Sequence, residues 1–293
     1  MIMRILIAGS NGMLGTDLIE QFSSHHVIGL DRPQIDIADL GQCLGYAREL
    51  QPEIIINAAA LTQVDYCESH TEEAFHINAD GAGNLAKAAA SIGVPLVHYS
   101  TDYVFDGLKG EPYREEDPTR PASVYGKSKL RGEELIRDYC QDHLILRTSW
   151  LFGMHGSNFI ATILKVARTE NKLRVVNDQF GSPTYTKDLS AHTARLLEAK
   201  CRGIYHLTNS GSCSWYELAV KCVEWAGLAE VPISAVTTSE FPRPAPRPAN
   251  SILANARLLH EGLPAMRPWQ QAAQEFVSVL ANTPASAVAD DQR

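Results

Sequence analysis

Met3-Arg-Ile-Leu-Ile-Ala8, running directly into Gly9-Ser-Asn-Gly12-Met-Leu-Gly15, decides the fold of this chain. The apolar run is short enough for a buried strand. After the glycines, Leu14, Leu18, Ile19 and Phe22 share one helical face. Strand, glycine turn and helix in that order are the setting of a dinucleotide-binding turn. Gly9 lets the chain leave the strand, Gly12 lets backbone approach a pyrophosphate, and Gly15 lets the helix pack closely. The helix N-terminus offers free N–H groups to phosphates. Gly9, Asn11, Gly12, Met13, Leu14 and Gly15 are therefore candidate cofactor contacts, in the spacing G-x-x-G-x-x-G. A second strand is expected at 27–30, and Asp31 at its end stands where an acid holds the adenosine ribose hydroxyls, favouring NADH. Arg32 beside it can lie over the adenine or meet a 2′-phosphate. NADPH and NADH both stay open.

Outward from this unit, apolar runs at 54–57, 94–99 and 143–147 alternate with helical patterns. Strands separated by helices imply a parallel sheet with right-handed crossovers. The expected fold is α/β, a Rossmann-type doubly wound parallel sheet with a smaller mixed α/β C-terminal substrate lobe. Its expected limits are 1–150 for the dinucleotide domain, to which later segments can return, 151–283 for the lobe, and 284–293 for a frayed tail. The second half is less regular, with strands at Leu173–Val176 and 203–207, a helix from about Trp215 to Trp225, and a proline-rich loop at 241–248 that can be neither helix nor inner strand.

At 293 residues, with 26 basic against 34 acidic side chains, the net charge is -8 and no Lys/Arg run appears, so no nucleic-acid partner is expected. No apolar stretch approaches the roughly 18 residues of a membrane span, and the start lacks a signal-peptide layout. The cytoplasm is the expected location. Six scattered cysteines without a C-x-x-C pair argue against a zinc site or a disulfide framework, and they are read as reduced and mostly buried. His98 and His206 lie within apolar runs and read as core residues. No metal site is expected.

Tyr125 and Lys129 stand four apart in a helical pattern, hence on one face. A cation beside a phenol makes it a usable acid, since an unperturbed tyrosine titrates at about 10. Together with Ser100-Thr-Asp-Tyr-Val-Phe105, the pair points to proton transfer to a carbonyl. Alone, such a pair occurs on many solvated helices.

Gly9-x-x-Gly12-x-x-Gly15, Asn57-Ala-Ala-Ala60, Ser100-Thr-Asp-Tyr-Val-Phe105, Tyr125-x-x-x-Lys129 and Arg147-Thr-Ser-Trp150 together resemble the extended short-chain dehydrogenase/reductase family. Asp36-Ile-Ala-Asp39, Val64-Asp-x-x-Glu68, Asp178-Gln-x-Gly-Ser-Pro-Thr184 and Arg247-Pro-Ala-Asn-Ser251 narrow the resemblance to its dTDP-4-dehydrorhamnose reductase subgroup, from about Met3 to Leu280. The resemblance implies an NAD(P)H-dependent reduction of a C4 ketone on a dTDP-4-keto-6-deoxy sugar. It implies Tyr125 as general acid, Lys129 steadying the cofactor ribose and lowering the tyrosine pKa, and Thr101 bonding the reacting oxygen. Ser100 is the rival for the last role, and either hydroxyl can instead cap the strand end.

By the same resemblance Asp36 and Ile37 flank the adenine, Ala58, Ala59 and Ala60 are small to admit the cofactor, and Asn78 stands behind the site. Asn78 reads equally well as a helix polar group satisfied by a carbonyl. Thr62, Val64, Asp102, Tyr103 and Trp150 match substrate-pocket positions, with Trp150 open to a packing role. Gln179, in the string 177–184, closes over the nucleotide, and Arg247 carries charge to a phosphate, with Arg243 equally basic nearby. A homodimer fits the resemblance. Two other functions remain. A nucleotide-sugar dehydratase or epimerase keeps the fold, but dehydratases carry Thr-Asp-Glu where this chain has Tyr103. A regulatory subunit like that of methionine adenosyltransferase binds without catalysing, and retention of Thr101, Tyr125 and Lys129 argues for chemistry.

Overall fold

The structure is a computed structural model that describes residues 2–170 and 172–282. Six parallel strands form its main sheet, in the spatial order Gly203–His206, His143–Thr148, Leu96–Thr101, Ile54–Asn57, Arg4–Ala8, His26–Leu30. Side chains alternate across each strand. Ile5 and Ile7 go with Ile54, Ile56, Val97, Leu144 and Leu146 to one face, where Leu14 and Leu18 cover them. Leu6, Ala8, Ile55, Leu96 and Ile145 go to the other, beneath Ala82, Leu85, Ala86 and Ile136. Both faces are buried, so the strands read as continuous apolar runs. Each fully buried Ile or Leu contributes about 2 kcal/mol of apolar transfer.

From Arg4–Ala8 the chain crosses to His26–Leu30 on one side and then returns to Ile54–Asn57 on the other, with Ala8 paired to both Leu30 and Asn57. That reversal leaves a crevice at the carboxyl ends of the two central strands, where such sheets collect ligands.

The sheet does not end near residue 150. Gly203–His206 adds its sixth strand beside His143–Thr148, and Leu189 and Leu196 of the helix Thr186–Glu198 pack with Leu14 and Leu18. The other later segments build a separate core of Phe152, Leu164, Tyr185, Leu218 and Phe276. It is framed by the short pairs Leu173–Val176 with Ile233–Val236, Phe180–Gly181 with Cys213–Ser214, and Leu151–Phe152 with Thr184–Tyr185. The helix Trp215–Trp225 starts on a capping box, in which Ser214 accepts from the Glu217 N–H and Glu217 accepts from the Ser214 N–H. All six cysteines are free and buried. Residues 284–293, expected to fray, lie outside the described residues. Among the described residues no helix is long and apolar enough to cross a membrane, and no cluster of His, Cys, Asp or Glu could hold a metal ion.

Candidate active site

Two clefts meet at the crevice. The first, about 330 Å³, is lined by Gly9, Gly12, Asp31, Arg32, Ile37 and the Ala58–Ala60 run. Gly9 turns the chain at φ +81°, and a Cβ there would strike the backbone at Ala58 and Ala59. A Cβ at Gly15 would collide with the Gly9 carbonyl, so the helix Met13–Gln21 sits tight against the turn. Gly12 caps that helix without a side-chain bond, which leaves its N–H groups facing the cleft. The Asp31 carboxylate accepts the N–H groups of Asn11 at 3.0 Å and Arg32 at 2.8 Å, tying the second strand to the glycine turn. Arg32 pairs with Asp36 at 3.2 Å. Asp36 is thereby directed at Arg32 and does not line the cleft, whereas Ile37 does.

The second cleft, about 470 Å³, continues from Gly12, Met13 and Leu14 past Ala58 and Ala60 to Thr62, Val64, Thr101, Asp102, Tyr103, Tyr125, Lys129 and Trp150. Ser100 lines it too, but its hydroxyl donates to Glu133 at 2.5 Å, inside a buried pair in which Arg147 reaches both Glu133 oxygens at 3.0 and 2.7 Å. Between the two rival hydroxyls, Ser100 is engaged in the core and Thr101 faces the site. Thr101 Oγ1 donates to Asp102 at 2.9 Å and accepts the Tyr103 N–H.

Tyr125 and Lys129 leave one face of the helix Val124–Tyr139, capped by Ser123. Lys129 is 2% exposed, and its Nζ donates to the Tyr99 carbonyl at 2.7 Å and lies 3.2 Å from His98 Nε2. Burial lowers its pKa to about 8, opposed by Glu133. The sequence led to the expectation that this lysine would pull the Tyr125 phenol down. In the structure burial pushes the phenol up, and the Thr101 hydroxyl, not Lys129, opposes that rise, because Nζ is held by the 96–101 strand. Burial also raises Asp102, to about 6, against the pull of the Ser251 and Thr101 hydroxyls.

Tyr103 meets Tyr125 edge to face at 5.6 Å. Arg247 lines neither cleft; it bonds Asp65 at 3.0 Å and opposes the burial-driven rise of the Tyr103 phenol, while Arg243 stacks on Phe241. Gln179 is buried and donates to Thr238, so it braces the 177–184 string and does not line either cleft. Asn78 is also held back. It accepts the Leu61 N–H at 2.8 Å and donates to the Leu61 carbonyl and Ser128, clamping the loop after Ala60 onto the Tyr125 helix. Its turn, His76–Asp80, is a π-helix, a form common at functional sites.

Trp215 lines the cleft although its sequence pattern marks only a helix start. Its ring stacks on Trp150 at 3.4 Å and 6°, and Gly181 has no Cβ because the Trp150 indole fills that space. Trp150 is held at φ +49°, a conformation rare for a bulky residue. Packing and lining are thus joined in one side chain. The Ser214–Glu217 capping box fixes Trp215 at the helix start, but no local pattern turns it towards the site.

A family model described as the RmlD substrate binding domain matches residues 3–282. The chain belongs to that family. It is 45% identical over 276 residues to the spore coat polysaccharide biosynthesis protein SpsK of Bacillus subtilis, covering 94% of this chain and 96% of that one. It is 40% identical to a dTDP-4-dehydrorhamnose reductase of Sinorhizobium fredii, covering 95% and 98%. The crystal structure of a dTDP-4-dehydrorhamnose reductase from Bacillus anthracis in complex with NADP superposes with a TM-score of 0.93, at 37% identity, over 95% of this chain and all of that one.

Proposed function

We propose that this RmlD-family protein reduces the C4 ketone of a dTDP-4-keto-6-deoxy sugar, converting dTDP-4-dehydrorhamnose to dTDP-L-rhamnose with NADPH or NADH. The observation that carries the reading is the convergence of Thr101, Tyr125 and Lys129 in a cleft continuous with the glycine turn. The turn fits a dinucleotide, since Gly9 removes the Cβ that would block close approach and the uncapped helix start offers N–H donors. Gly9, Gly12, Met13 and Leu14 would cradle the pyrophosphate, with Asn11 and Gly15, which line neither cleft, shaping the turn; Asp31 would hold the adenosine ribose, and Ile37 with Ala58–Ala60 the flanks.

Bound there, a nicotinamide would supply the hydride. The Tyr125 O–H would supply the proton that completes the alcohol as charge builds on the C4 oxygen. Thr101 holds the same oxygen. A positioned acid contributes roughly 10²- to 10⁴-fold. The raised phenol suits this direction, because Tyr125 stays protonated until a base is made beside it. Thr62, Val64, Tyr103, Trp150 and Trp215 wall the sugar, and Arg247, beside Tyr103, is better placed than Arg243 for the diphosphate. The partners of this reading are the sugar nucleotide and the cofactor, without nucleic acid, in the cytoplasm, and a homodimer is compatible with it.

The test is spectroscopic. Purified protein given a dTDP-4-keto-6-deoxy sugar and NADPH or NADH should oxidise one cofactor per sugar, and dTDP-glucose should yield no 4-keto product. Tight binding of the sugar nucleotide with no cofactor oxidation would leave a regulatory role.

A further inference from the structure

His98 is enclosed, at 1% exposure, and both ring nitrogens have partners: Nδ1 lies 3.0 Å from Asn57 Nδ2 and Nε2 lies 3.2 Å from Lys129 Nζ. The Asn57 amide is not free to turn, because its Oδ1 accepts the Ala59 backbone N–H at 3.0 Å. Its Nδ2, a donor only, therefore faces His98, and Nδ1 must accept. Burial holds the imidazole well below its ordinary pKa, so the ring is neutral and carries one proton. With Nδ1 accepting, that proton sits on Nε2 and points at Lys129. An ammonium has no lone pair to receive it, whereas an amine has one. The opposite tautomer needs Asn57 to turn its NH₂ against the Ala59 N–H at the cleft wall, setting donor against donor.

We propose that Asn57 and His98 form a relay that holds Lys129 as an uncharged amine in the free protein and lets it take up a proton when the cofactor binds. His98 is a positioning residue here, acting through Lys129. The proposal rests on the reading in which Lys129 serves the cofactor ribose. The groups around the amine are consistent with it. His98 and the Tyr99 carbonyl face it from the strand, and Tyr125 and Glu133 share its helix. Asp102 and Cys67 act on Tyr125, each raising it. The Glu133 charge, which favours the ammonium, is matched by Arg147 at 2.7 Å. Burial lowers the amine to about 8 against the pull of Glu133, and a fixed N–H donor acts in the same direction as burial. Ribose hydroxyls offer acceptors to an ammonium, which then turns its N–H groups away from His98 Nε2–H and towards them.

Two-bond ¹H–¹⁵N spectra of ¹⁵N-histidine-labelled protein read the tautomer directly, with His98 assigned by its loss in His98→Gln. At neutral pH, Nε2 should be pyrrole-like and Nδ1 pyridine-like, and calorimetry in buffers of different ionisation enthalpy should show net proton uptake when NADPH binds. Asn57→Asp keeps an acceptor for Ala59 and gives His98 Nδ1 an acceptor too. Its tautomer should reverse, proton uptake should vanish, and the basic limb of kcat/KM for the cofactor should rise by about one pH unit. A wild-type His98 protonated on Nδ1, or an Asn57→Asp protein with the same tautomer as wild type, would overturn the relay. If Asn57→Asp does not fold, the wild-type tautomer decides alone. The spectra need no turnover: an active reductase with the wrong tautomer sinks the relay only, and an inactive protein with the expected one sinks the reductase only.

Discussion

The hydroxyl of Thr101 donates to Oδ1 of Asp102 at 2.9 Å, so the group proposed to hold the reacting oxygen has its proton committed to a carboxylate. Burial brings Asp102 to about 6. Once protonated, Asp102 can donate to Thr101 and release that hydrogen towards the ketone. Turnover should therefore rise as pH falls through about 6, and Asp102→Asn should flatten that limb. The stability sign follows from the raised value. The folded state holds the proton more tightly than the unfolded chain, so the stabilisation is complete below 3.8 and lost as pH rises through about 6. Urea unfolding at pH 7 should find Asp102→Asn more stable than wild type by about 3 kcal/mol, with no gain in acid. Equal stability at both pH values would show that the carboxylate is solvated.

Tyr125→Phe removes the proton donor and leaves the ring against Tyr103, where the contact is edge to face. The expected loss in turnover is about 10²-fold or more, with cofactor affinity nearly unchanged. Steady-state rates and NADPH titrations separate the two, and full turnover with normal affinity would remove Tyr125 from the mechanism.

Asp31 accepts two backbone N–H groups at the edge of the first cleft, which leaves it poised against a 2′-phosphate. NADH should serve at least as well as NADPH, and Asp31→Ala should tilt the ratio of kcat/KM towards NADPH, blunted by Arg32. A strict NADPH preference untouched by the substitution would place Asp31 outside the cofactor site.

Glu133 and Arg147 are both nearly inaccessible, with the bond from Ser100 completing the carboxylate's partners. Glu133→Gln leaves the Arg147 charge buried without its counterion and should cost about 3 kcal/mol, read from the urea midpoint at constant slope. A change under half that size would mean water reaches the guanidinium.

The strands of the main sheet were legible because both faces are buried, which turns each strand into an apolar run, and Tyr125 and Lys129 were legible because helical spacing alone puts them on one face. What stayed hidden depends on contacts between distant segments. His98 has the sequence signature of a core residue and is one, and only the fold shows its ring between Asn57 and Lys129. Trp215 meets Trp150 across 65 positions, a pairing no local pattern encodes. Gln179 and Asn78 carry family motifs whose side chains turn to Thr238 and Leu61, so both brace loops around the clefts without lining them. The strand at 203–207 was visible as a strand, but its place beside His143–Thr148 was not, since a parallel partner can arrive from any later segment.

The most direct test follows the hydride. Purified protein is incubated with a dTDP-4-keto-6-deoxy sugar and NADH deuterated at the transferable position of its nicotinamide C4, and the product is read by NMR and mass spectrometry. One deuterium at sugar C4, with one cofactor oxidised per sugar, is the predicted result. Unlabelled sugar, or label at any position other than C4, would contradict reduction as the reaction of this site.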